Sequence, residues 1–185
     1  NKYEFINLCK SLKIKTPKSQ LIDDFKKTQE ILNKPSQWIM KPVYSRYGEE
    51  VIFNPSLEVI KKIKPSKKSP WIAQEKLTGK QFSSYSLIKN GNLLAHSIYP
   101  IDITLDKVSI NFRSIDHEKI TTWIKHFVKE INFTGQISFD FFEEKNGGIY
   151  AIECNPRITS GIHLFRGDKK FSNAHQPLVS RDLIS

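Results

Sequence analysis

The chain has 185 residues, 38% hydrophobic and 11% aromatic, enough to build one ordinary domain or two small lobes around a core and too apolar for a disordered tail. Lys and Arg number 29 against 19 Asp and Glu, and the net charge of +10 favours an anionic partner such as a nucleotide, a nucleic acid or an acidic surface. No apolar run approaches the roughly 18 to 20 residues of a membrane span, no signal peptide opens the chain, and two cysteines are too few for a disulfide framework; the expectation is no membrane and a reduced, cytoplasmic setting.

The opening stretch NKYEFINLCKSL lacks an initiator Met and reads as the inside of a longer protein. Phe5, Leu8, Cys9 and Leu12 recur at helical spacing, so an amphipathic helix is predicted there, followed by an extended connector at Thr16-Pro17. A short helix is predicted over Asp23 to Leu32, with Asp23 or Asp24 as its cap. SQWIMKPVYSRYG (36–48) reads as a strand entering a loop, and NPSLEVIKKI (54–63) as a helix capped by Ser56. The lysine run KKIKPSKKSP (61–70) contains two prolines and neither arginine nor aromatics, which makes it a solvated loop and not a nucleic-acid surface.

From Trp71 the texture turns strand-rich, so the pattern divides the chain into residues 1–70 and 71–185, two lobes of one module. KNGN between FSSYSLI and LLAHSIYP is a hairpin signal, because Asn-Gly adopts the positive backbone angles of a tight turn. A helix is predicted from about Asp116, the expected cap, to Ile131, with Ile120, Trp123, Ile124, Phe127, Val128 and Ile131 forming one core-facing stripe.

GQISFDFFEEKNGGIYAIECNPR (135–157) carries the chemistry. With Asn146-Gly147 as the loop, Phe141 faces Ile152 and Phe139 faces Cys154 on an apolar side, while Asp140 faces Glu153 and Ser138 faces Asn155 on the other. A loop at Gly147-Gly148 instead faces Asp140 with Asn155. Opposed like charges are destabilising, and a cation between them resolves the repulsion. Two carboxylates and an amide oxygen are hard ligands that suit magnesium, or manganese, shared with phosphates. Asp140, Glu153 and Asn155 are therefore the candidate metal ligands. Arg157, at the same mouth, offers a planar donor set for a phosphoryl or carboxylate oxygen. Cys154 falls on the apolar side as core, His163 is read as packed, and Ser83, Ser84 and Ser86 lack a visible base partner.

FDFFEEKNGGIYAIECNPRITSG resembles the metal-binding end of the ATP-grasp superfamily, in particular the branch that resembles the large chain of carbamoyl-phosphate synthase. NKYEF resembles the start of that family's ATP-binding unit, and WIMKPVYSRYG its strand and phosphate loop; the resemblance places Lys2 and Lys41 at phosphates. IAQEKLTGKQFS resembles the hinge between the lobes, where the backbone of Lys76 and Leu77 would read the adenine edge beside Gln74 and Glu75. The chain departs from the family in having Gly48 as the only glycine of YSRYGEEV, in Gln81 where relatives place a Glu for the ribose hydroxyls, and in lacking a counterpart of the preceding α/β domain.

The resemblance implies a two-lobed α/β (α+β) fold of antiparallel sheets and packed helices, binding Mg-ATP between the lobes. It implies a carboxylate–amine ligase: ATP activates a small-molecule carboxylate as an acyl phosphate for attack by an amine or similar nucleophile, with Arg157 at the transferring group. A second reading is a regulatory or degenerate copy that binds nucleotide without catalysis. A third, direct nucleic-acid binding, has only the basic surface in its favour.

Overall fold

In the computed structural model, residues 1–44, 50–101 and 113–165 are described in full, together with the backbone of residues 104–105 and 108–109. The stretch YSRYGEEV, read as a phosphate loop, has residues 45–49, Gly48 among them, outside the described residues. Two compact units divide the chain, Asn1–Thr78 and Gly79–Ser185.

In the first unit, helix α1 (Lys2–Ser11) starts at Asn1, whose side chain accepts hydrogen bonds from the amides of Tyr3 and Glu4, and it buries Phe5, Ile6 and Cys9. Strand β1 (Ser19–Ile22) leads into a 3₁₀ turn (Phe25–Thr28) capped by Asp24, then α2 (Gln29–Asn33). Strands β2 (Trp38–Pro42) and β3 (Ile52–Phe53) precede α3 (Leu57–Ile63), where Ser56 caps by accepting from the Val59 amide. Strand β4 (Trp71–Glu75) closes the unit. It lies between β1 and β2, antiparallel to both, in a sheet of order β1-β4-β2-β3, so by pairing it belongs here although its texture is that of the strands after it. Ile22, Ile31, Trp38, Met40, Ile60, Trp71 and Ala73 form the core beneath that sheet.

The second unit is built on β5 (Lys80–Lys89) and β6 (Asn92–Pro100), joined at Asn90-Gly91. Asn90 and Gly91 have φ of 49° and 71°, the two positive angles of the primed turn that the sequence predicts. Two short paired strands follow, β7 (Thr104–Leu105) and β8 (Val108–Ser109). Helix α4 (Glu118–Glu130) is capped by His117, not by Asp116: the imidazole Nδ1 accepts from the Ile120 amide at 3.4 Å. Strands β9 (Gly135–Glu143) and β10 (Ile149–Asn155) complete a sheet of order β10-β9-β5-β6.

Alternation gives this sheet two unlike faces. On one, α4 packs Ile120, Ile124, Phe127 and Val128 against buried Phe82, Ile137, Phe139 and Phe141. Trp123 stacks on Phe127 and meets Phe139 and Phe141 edge-on, with centroids 5.1 to 5.2 Å apart. Burying each such side chain contributes about 1.5 to 3 kcal/mol. The other face carries two polar rows. In one row Tyr99, Ser83, Asp140 and Glu153 stand opposite one another across all four strands; in the next stand Ser97, Tyr85, Ser138 and Asn155.

Candidate functional site

The sheet sets Asp140 directly against Glu153 by means of a displaced residue. Near the turn, Glu143 faces Ile149, Phe142 faces Tyr150 and Phe141 faces Ala151; then the register shifts, and Glu153 faces Asp140, Cys154 faces Phe139 and Asn155 faces Ser138. Ile152 is the extra residue of a β-bulge. Had the first register continued, Glu153 would stand opposite Phe139 on the side covered by α4. The bulge therefore carries Glu153 to the polar side, which is what bulges beside functional sites do.

The turn itself corrects the expected loop. The Gly147 amide donates to the Glu144 carbonyl at 2.8 Å, and the Glu144 amide to the Gly148 carbonyl at 3.0 Å. Lys145 and Asn146 are thus the central residues, and Gly147, at φ 78°, takes the left-handed position after them. Phe141 consequently faces Ala151 and not Ile152. Turn and bulge each shift the register by one, and the expected pair survives.

Ser83 Oγ donates to Asp140 Oδ1. Tyr99, only 5% exposed, has its hydroxyl among Ser83, Thr159 and Asp140. Burial pushes the phenol up to about 12, the Asp140 charge adds to the shift, and hydrogen bonds with Ser83 and Thr159 oppose it. Beyond Asn155 the chain bends back onto the polar face: Thr159 Oγ1 and Ser138 Oγ are 2.7 Å apart, and a 3₁₀ turn (Ser160–Phe165) seats Gly161 against Tyr85 and Tyr99. A Cβ at Gly161 would lie 2.6 Å from Tyr85 Cβ, so only glycine allows this approach.

The exposed Arg157 folds back, its amide donating to the Asn155 carbonyl at 2.8 Å and its Nη2 to Asn155 Oδ1 at 3.4 Å. Arg157, Asn155, Glu153 and Asp140 are therefore brought together at one mouth of the second unit. Gln81 lies on β5 one alternation before Ser83, exposed beside a cavity of about 700 Å³ that Phe82, His117 and Glu143 also line. His117 Nδ1 accepts at the helix start, so its Nε2 carries the proton and donates to Glu143 Oε2 at 3.4 Å.

In the first unit Lys41 is 5% exposed, and its Nζ donates to Gln74 Oε1 at 3.0 Å. Gln74 Nε2 in turn donates to Ser19 Oγ at 3.1 Å. Glu75 is exposed, and its carboxylate accepts from the Lys18 amide at 3.1 Å. The Lys76 amide donates to the Gln37 carbonyl at 2.8 Å, and Leu77 follows half-buried. The Lys2 amide reaches the Val43 carbonyl at 3.5 Å, which sets Lys2 beside the end of the strand that bears Lys41.

Three residues differ from expectation or were missed. Ser86 does have an imidazole partner, His96 Nδ1 at 3.0 Å, with Thr121 Oγ1 3.2 Å from Nε2. Among the described residues no carboxylate bonds to this pair, which lies on the α4 side, where burial first and then Lys125 push His96 down to about 4; it is a packing network. His163 is exposed, not packed. Tyr99 was missed, because nothing in the local sequence marks it as part of the Asp140 row.

A family model described as the ATP-grasp domain matches residues 1–161. The chain belongs to the ATP-grasp family. Its fold is the mixed helix and antiparallel-sheet architecture of ATP-grasp structures. The ADP complex of purK, an N5-carboxyaminoimidazole ribonucleotide synthetase, superimposes with TM-score 0.70 at 15% identity over 90% of this chain and 47% of that one. An L-amino acid ligase from Bacillus licheniformis gives TM-score 0.63 at 15% identity over 87% and 41%. The ATP-grasp ligase PsnB complexed with a minimal precursor gives 0.70 at 15% identity over 96% and 59%. The chain thus spans about half the length of these structures. No curated protein matches the sequence.

The donor set of this ATP-grasp chain fits a magnesium ion. Among the described residues no group of three or more His, Cys, Asp and Glu side chains comes together to hold a metal. Two opposed carboxylates and a neighbouring amide oxygen are instead an incomplete oxygen set of the kind that magnesium completes with water and phosphate oxygens. No helix among the described residues is long and apolar enough to cross a membrane.

Proposed function

We propose that the chain is the Mg-ATP-binding module of a carboxylate–amine ligase, in which a carboxylate is activated as an acyl phosphate and then attacked by an amine or similar nucleophile. The observation that carries this reading is the Asp140–Glu153 pair, held face to face at the cost of like-charge repulsion. Asp140, Glu153 and Asn155 would hold magnesium, which when bound neutralises charge on the phosphates.

In the second unit, Arg157 would leave its contact with Asn155 Oδ1 to aim its guanidinium at the transferring phosphoryl group or the acyl phosphate. Gln81 would accept a ribose hydroxyl through its side-chain carbonyl. In the first unit, Lys41, oriented by Gln74, and Lys2 would grip phosphate oxygens. The Lys76 carbonyl and the Leu77 amide would face the adenine edge, with the Lys76 amide anchored on Gln37 and Glu75 anchored on Lys18. Such chemistry asks the protein for position and charge, not for a covalent nucleophile.

Thermal unfolding with ATP alone, magnesium alone and both together tests the reading. At about 100 times the dissociation constant, binding stabilises the fold by roughly 2.7 kcal/mol. The combination is expected to raise Tm, and Glu153→Gln to abolish the rise. No shift with the combination, or an equal shift in Glu153→Gln, refutes the metal role of the pair. Stabilisation without ADP formation for any carboxylate and amine pair would identify a binding module without turnover.

A further inference from the structure

We propose that Ser83 and Tyr99 are positioning residues for the Asp140 carboxylate, and that Tyr99 ties this carboxylate through Thr159 to the turn that follows Asn155 and carries Arg157. The inference rests on the reading of Asp140 and Glu153 as magnesium ligands.

Ser83 stands opposite Asp140 on one side and opposite Tyr99 on the other, so the three side chains form one row on one face. A serine hydroxyl has a single proton, and Ser83 gives it to Asp140 Oδ1. The Tyr99 hydroxyl shares a hydrogen bond with the same Ser83 hydroxyl, so the three side chains are linked in a row from Tyr99 through Ser83 to Asp140. Ser83 is 9% exposed and Tyr99 5%, so water competes poorly for these bonds.

Asp140 faces Glu153, and without a donor fixing one oxygen the two carboxylates would rotate apart to reduce their repulsion. Ser83 holds Asp140 against that tendency. The Tyr99 oxygen also meets Thr159, which is joined to Ser138 and lies two residues past Arg157, so one hydroxyl cluster links the carboxylate strand to the turn after β10. Groups that orient a ligand in this way typically alter metal affinity by about 10- to 100-fold when removed.

The test is Mn2+ binding, followed by the electron paramagnetic resonance of free Mn2+ with ADP present, on the 185-residue chain and on Asp140→Asn, Ser83→Ala, Ser83→Thr and Tyr99→Phe. Wild type is expected to bind and Asp140→Asn to lose binding. Ser83→Ala should weaken binding about 10- to 100-fold, with Ser83→Thr restoring it. Tyr99→Phe should weaken it less, because it acts through Ser83. Unfolding midpoints without metal verify that each variant is folded; should Ser83→Ala fail to fold, Tyr99→Phe, which keeps the buried ring, decides alone. A folded Ser83→Ala and Tyr99→Phe that both bind Mn2+ as wild type does would overturn the positioning role while leaving the Asp140–Glu153 site standing. Wild type without Mn2+ binding would overturn both.

Discussion

The two faces of the second sheet are made by the same strands and serve opposite ends. Phe139 and Phe141 point to α4 and are fully buried; Ser138 and Asp140, the residues that alternate with them, join the polar rows. On the apolar side energy comes from area removed from water, and a residue matters by its volume. On the polar side the carboxylate row costs stability and matters by its geometry. Adjacent residues in one strand should therefore respond to substitution in opposite ways.

The largest expected effect lies on the apolar side. Phe139 touches Trp123, Phe127 and Phe141 with ring centroids 5.1 to 5.9 Å apart. Phe139→Ala should cost about 3 to 5 kcal/mol in urea unfolding, through lost burial and the cavity left behind. A loss under about 1 kcal/mol would mean that α4 does not depend on this cluster, and the contrast between the faces would fail.

His96 is the polar exception on the α4 side, and it makes that side sensitive to acid. Its folded value of about 4 lies below the ordinary 6.5, chiefly through burial. Folding thus favours the neutral ring, and the stability tied to it is complete above pH 6.5 and lost as the pH falls toward 4. Such a shift corresponds to about 3 kcal/mol. Because carboxylates also titrate in that window, the measurement is the difference between wild type and His96→Gln in urea at pH 7 and at pH 4.5. The wild type should lose more stability than the variant; parallel losses would show that the Ser86–His96–Thr121 network tolerates the charged ring.

How much of this could be read from the sequence depends on the range of the interaction. The stripe of α4 and the turn at Asn90-Gly91 are local patterns, legible from spacing and from residues that accept positive φ. The Asp140–Glu153 pair was legible because a short hairpin brings partners together within one stretch of chain. The Ile152 bulge was not, since the turn moved to Lys145-Asn146 and the compensating extra residue has no local signature. Asp116 lost the cap to His117, whose ring is fixed by Phe82, 4.9 Å away edge-on, and by Glu143, both remote in sequence. Ser83 and Tyr99 belong to the Asp140 row only through strand order, which alternation within one strand does not give.

The smallest effect is also the most discriminating between the faces. If the carboxylate row is held together against its own repulsion, then Glu153→Gln, which removes one of the two opposed charges and keeps the shape, should leave the metal-free protein no less stable than wild type. The gain expected is about 0.2 to 1 kcal/mol at low salt, shrinking as ionic strength rises because screening weakens the repulsion that the variant relieves. Urea midpoints of the two proteins in chelator, at low and at high salt, measure it. A variant less stable than wild type at both salts would mean that Glu153 supports the fold through bonds of its own, and that the pairing with Asp140 is a structural contact. A variant equally or more stable without metal, yet deaf to Mg-ATP, would place the residue on the side of the sheet where stability is given up for position.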